Sequence, residues 1–123
     1  MNQKEVNIFV ESFANIHGLN KQQVLDWILE AFSHYAAKTL SNNKGNYVTK
    51  VEGDRFVTYR QWDLVADDIV MEDPDTQWRV LDAVDEGFDD AEPGDCVQVE
   101  VKEVERTRQF KTWLKQFILR KMR

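Results

Sequence analysis

Hydrophobic positions recur at helical spacing at both ends of the chain and alternate in its middle. Val6, Phe9, Val10 and Phe13 fall on one helical face, predicting a first helix that ends near His17 and Gly18, where glycine suits a left-handed cap. A second start signal follows at once. Asn20 can cap, Gln23 stands three residues on, and Leu19 is placed to staple onto Val24. Val24, Ile28, Ala31, Phe32 and Tyr35 carry the second stripe to about Thr39, and the Asn- and Gly-containing stretch 41–46 reads as a loop.

Residues 47–65 are rich in Val, Thr, Tyr, Phe and Trp, with Gly53-Asp54 between two such runs, which predicts a tight-turned hairpin. Asp73-Pro74 reads as a helix start with Pro at the first helical position. Trp78, Leu81 and Val84 or Asp85 then keep helical spacing until Gly87. After an acidic turn region holding Pro93-Gly94, Val97, Val99 and Val101 alternate with polar residues, predicting a strand with one buried face. A last helix over 107–123 carries Phe110, Trp113, Leu114, Phe117, Ile118 and Met122 on one stripe, with Arg108, Lys111 and Lys115 largely off it.

The predicted order is helix, helix, hairpin, helix, strand, helix. No βαβ alternation occurs, so the expected fold is α+β, a helical body with a small, mostly antiparallel sheet. With 123 residues, 42% apolar, and no internal repeat or linker, residues 1–123 read as a single domain. No apolar run approaches the roughly 20 residues that cross a bilayer, and residues 1–13 carry charges throughout, unlike a signal peptide. One cysteine, Cys96, makes no internal disulfide, and a cytoplasmic, monomeric protein is expected. At the start of its strand Cys96 reads as a small buried hydrophobe.

Charge changes the picture more than composition does. The net value of −6 hides a division: residues 63–105 hold 16 acidic and 2 basic side chains, whereas 106–123 hold 7 basic and none acidic. An anionic partner would meet the basic end. Enzyme chemistry finds no foothold. His17 and His34 lack companions at zinc-site spacing, no phosphate loop or nucleophile elbow occurs, and pairs such as Asp67-Asp68 are ordinary on an acidic surface. No enzyme activity, metal or cofactor is expected. Arg60 and Trp62 in the hairpin read as structural, the indole burying area and the guanidinium finding a carboxylate.

Three blocks resemble one family. Residues 19–38 open with Leu-Asn-Lys-Gln-Gln-Val and hold Glu30-Ala31. Residues 56–65 read Phe-Val-Thr-Tyr-Arg-Gln-Trp-Asp-Leu-Val. Gly94-Asp95-Cys96-Val97 leads, through Arg108, into Lys115-Gln116-Phe117-Ile118-Leu119-Arg120-Lys121-Met122-Arg123. In order and spacing these are similar to the RNA-polymerase-binding N-terminal domain family of the transcription factor NusA, and together they span nearly the whole chain. The resemblance implies a domain that docks on bacterial RNA polymerase beside the RNA exit channel, at the flap tip of the β subunit. It further implies modulation of pausing, termination or antitermination, with basic side chains touching the nascent RNA hairpin. The matching positions are Lys38, Arg108 and Lys115, and Lys111, one turn before Lys115, can join them. Such a stripe binds phosphates without reading bases, by shape and counterion release. Ala36-Ala37-Lys38-Thr39 departs from the family's lysine run, which implies weaker RNA affinity, and Trp27, Trp78 and Trp113 are unusual aromatics for it. In the family, RNA-binding OB-fold and KH domains follow the segment matched here. The competing reading takes residues 110–123 as a basic amphipathic helix for a membrane surface or a partner's groove.

Overall fold

The computed structural model describes residues 3–53, 55–101 and 107–123. Helices α1 (Gln3–His17) and α2 (Lys21–Ser41) come first, then strands β1 (Asn46–Glu52) and β2 (Arg55–Val65). A three-residue strand β3 (Gln77–Arg79) runs directly into α3 (Val80–Asp85), followed by β4 (Cys96–Val101) and α4 (Thr107–Lys121).

The helix ends form where local chemistry asks for them. Gly18 takes φ +66°, letting the Leu19 N–H bond back to the Ala14 carbonyl at 2.9 Å. The Asn20 side chain accepts from the backbone N–H groups of Gln22 and Gln23, at 2.8 and 3.3 Å. Two left-handed asparagines, Asn42 and Asn43, terminate α2, and the Asn43 N–H returns to the Ala37 carbonyl at 2.9 Å. Gly53, at φ +64°, turns β1 into β2.

Strand β2 is the spine of the sheet. Arg60 is paired with Tyr47 of β1 and with Val99 of β4, both antiparallel. Further on, Asp63 is paired with Cys96 of β4 and, in parallel, with Gln77 of β3, so β3 takes over the edge that β1 leaves. A chain of hydroxyls ties this sheet to the helices. Ser33 of α2 meets Thr49 of β1 at 2.8 Å, and Thr49 meets Thr58 of β2 at 2.9 Å. Both threonines are buried, so their mutual satisfaction avoids the cost of orphaned hydroxyls.

Two cores of unequal size result. The larger gathers Val6, Val10 and Ala14 from α1, the Val24–Ala36 stripe of α2, and Phe110, Leu114, Phe117 and Ile118 of α4. Phe32 links the layers, its ring 4.5 Å from that of Phe110 and 5.6 Å from that of Phe56. The smaller core holds Leu64, Ala83 and Val97, roofed by Trp62, Trp78, Val80, Phe88 and Ala91.

The acidic middle departs from the sequence expectation. Asp73-Pro74 starts a turn rather than a helix. The Asp73 carboxylate accepts from the Asp75 N–H and the Thr76 hydroxyl, both at 3.0 Å, and Gln77 accepts from the N–H groups of Glu72 and Asp73. Side chains thereby take donors that a helix would have used. Trp78 stacks on Trp62 with centroids 4.6 Å apart, which holds it in a strand beside Leu64 and delays α3 to Val80. No side chain of Arg79 caps α3; instead Asp67 reaches across to the Leu81 N–H at 3.0 Å. Three further expectations change. Cys96 is exposed, Val99 is 38% exposed so that only Val97 of the alternating valines is buried, and Met122 lies exposed beyond the last turn of α4.

Candidate nucleic-acid interface

Helix α4 packs its apolar stripe against α2 in an antiparallel sense. Lys121 reaches Glu30 at 2.7 Å, His34 lies edge-on to Phe117 at 5.2 Å, and Trp113 lies against Tyr35 at 5.4 Å. With Phe110 and Ile118 fully buried and Leu114 1% exposed, that stripe is interior to the domain. A membrane or a partner's groove would have to displace α2 to reach it, which removes the physical basis of the amphipathic-helix reading.

The flanks of α4 are what remains for binding. Lys111 and Lys115, one turn apart and exposed, border a groove of about 370 Å³ between α4 and α1, with Glu5, Ile8, Phe9, Ser12 and Leu114. Lys111 sits 3.8 Å from the Glu5 carboxylate. Both side chains are half-exposed, so water and salt weaken the pair and a phosphate can compete for the ammonium. Among the described residues Lys115 has no ionic or hydrogen-bonding partner. Lys38, exposed near the end of α2, likewise has none among them. It continues the Glu30–His34 row of α2 by one turn, three residues on from Tyr35, and so lies on the Trp113 flank of α4. Thus the four candidates do not form one patch. Lys111 and Lys115 share the α1 flank, Lys38 stands on the α2 flank, and the Arg108 side chain lies outside the described residues.

Sequence reasoning missed the α1 side of the groove. Ile8, 58% exposed, borders the groove, and Ile16, 76% exposed, also lies off the buried face of α1 though it does not line the groove. Their signal was available in the chain, since neither fits the Val6–Val10 stripe. Arg60 also found other partners than expected. Its guanidinium lies 4.1 Å from the Trp62 ring and donates to the Asp75 carbonyl at 2.9 Å, so a ring face and a backbone oxygen stand where a carboxylate was expected.

Among the described residues two groups titrate abnormally, Tyr59 and Cys96, both in the sheet. The Tyr59 hydroxyl, hydrogen-bonded to the Glu52 carboxylate, is held above its usual range chiefly by that bond. Desolvation and then the neighbouring Asp63 carboxylate push the Cys96 thiol up. Among the described residues no cluster of His, Cys, Asp or Glu could hold a metal ion, and no helix is long and apolar enough to cross a membrane.

Residues 5–123 match the family described as NusA N-terminal domain. The chain belongs to that family. It is therefore a transcription-factor domain, of a kind concerned with termination and antitermination. The fold is likewise similar to the solution structure of the N-terminal domain of NusA from B. subtilis, with a TM-score of 0.66 and 19% identity over 98% of this chain and 94% of that one. No curated protein matches the chain.

Proposed function

We propose that this domain docks on bacterial RNA polymerase beside the RNA exit channel, against the flap tip of the β subunit, and modulates pausing, termination or antitermination in the cytoplasm. In this reading it performs no catalysis. Lys38, Arg108, Lys111 and Lys115 contact the nascent RNA hairpin through its phosphates.

One observation carries the reading within this family: cations and exposed apolar residues adjoin on one side of the helical layer. Lys111 and Lys115 border the same groove as Ile8 and Phe9, so a protein surface and a nucleic-acid backbone can be gripped side by side. That juxtaposition suits the mouth of a channel from which RNA emerges. Segment 106–123 itself contributes no acidic residue to repel phosphate. Phosphate contacts of this kind position an RNA without specifying its sequence.

Paired substitution of Arg108→Ala with Lys115→Ala tests the assignment. Crosslinking of the nascent hairpin to the domain in a paused complex falls, and the loss is largest at low salt, while polymerase docking persists. Undiminished crosslinking overturns the RNA contact; loss of docking as well assigns these residues to the polymerase instead.

A further inference from the structure

Trp113 does something that core packing does not require. It is only half-buried, and its indole lines a shallow depression of about 380 Å³ on the surface of α4 with Gln109, Thr112 and Gln116. From within, Phe117 backs the ring in a stacked arrangement at 5.1 Å and Tyr35 abuts it edge-on at 5.4 Å, so the ring is held rigidly. Around its outer side stand two amides and a hydroxyl, groups that both donate and accept hydrogen bonds and carry no charge. Cations stand on either flank of α4. Lys38 lies one turn from Tyr35 on α2, and Lys115 follows Thr112 by one turn on α4.

We infer that Trp113, with Gln109 and Gln116, forms a stacking platform for an unpaired nucleobase of RNA, between the phosphate-binding cations Lys38 and Lys115. The inference rests on the proposed RNA contact and adds a base-binding element to it. Three features point to a nucleobase rather than to a peptide. The ring has a backed face and an accessible side, as stacking needs. Its neighbours are glutamines, whose amides match base edges. The charged residues of segment 106–123 are all cationic, complementary to the phosphates either side of a base. A paired stem keeps its bases stacked inside, so only the loop or a flanking single strand can offer one. The platform therefore makes the domain prefer stem-loops and single strands over blunt duplex, where phosphate contacts alone would not distinguish them.

The test uses the purified chain at low ionic strength with two RNAs, a stem-loop and a blunt duplex of the same stem. With 5-iodouridine in the loop, irradiation yields a crosslinked peptide containing Trp113, a readout that needs no substitution. Trp113→Ala weakens the stem-loop about tenfold and leaves the duplex unchanged. Trp113→Phe, which keeps a ring against Phe117 and Tyr35, recovers much of the loss, and circular dichroism confirms that both variants are folded. Lys38→Ala and Lys115→Ala weaken both RNAs alike. Equal stem-loop binding by wild type and a folded Trp113→Ala, with no crosslink at Trp113, overturns the platform alone. Failure of the wild-type chain to bind either RNA overturns the phosphate reading together with it.

Discussion

The helical layer and the acidic lobe are built by different means. In the helical layer thirteen of the described residues form one buried core, and each element brings its own periodic stripe to it. The lobe has three buried core residues among those described, and it is held by side chains that clip the backbone: Asp67 on Leu81, Asp73 on Asp75, Asp95 on Glu92. The same acids that solvate the lobe thus also fold it. On α4, Lys121 ties the helix to Glu30 of α2, whereas Lys115 stands at the flank with no partner among the described residues. Function can occupy that flank because stability lies elsewhere.

If the contrast is sound, the largest response comes from the helical core. Phe110→Ala removes a fully buried ring that touches both Phe32 and Tyr35, and costs about 3–5 kcal/mol, read as a lower urea midpoint. A smaller loss would mean that α4 is an appendage and not part of the core. Where layer and lobe meet, in the loop between α2 and β1, Gly45→Ala adds volume instead of removing it. An added Cβ would stand 2.8 Å from Arg60 Nε and 3.0 Å from the Tyr47 ring, pushing the guanidinium off Trp62. Overpacking there costs roughly 1–3 kcal/mol, and hydrogen exchange should locate the loosening in β2 and β3 while α1 and α2 stay protected. Asn20→Ala forfeits the cap of α2 for about 1 kcal/mol, a local effect inside the stable half.

The smallest effect is chemical. Cys96 is exposed, yet its thiol pKa is raised, so at a given pH less of it is thiolate and disulfide exchange in the folded chain runs slower than in urea. Asp63→Asn removes one of the two causes and quickens the native reaction. An unchanged rate would mean that desolvation alone sets the thiol's reactivity.

These differences also decide what a reader of the sequence can see. Helices α1 and α2, the hairpin and α4 were legible because caps, turn residues and stripes are written within a few residues of one another. Residues 66–95 were not, since Trp78 is held in a strand by a ring sixteen positions away and α3 takes its cap from Asp67. Cys96 and Val99 escaped for a related reason, because alternation names a face but not what covers it. At the interface, helical spacing sufficed to bring Lys111 and Lys115 together. It could not assign Lys38 to the other flank of α4 or supply Glu5 as partner to Lys111, because both depend on how helices distant in sequence pack.

The account stands or falls on whether this surface meets the transcription machinery. The direct measurement is capture of purified bacterial core polymerase by the purified chain, with intact polymerase and with polymerase lacking the β flap tip. Retention of the intact enzyme and loss of the truncated one is the predicted result. Equal capture of both would move the docking site away from the flap, and capture of neither would contradict the proposed role.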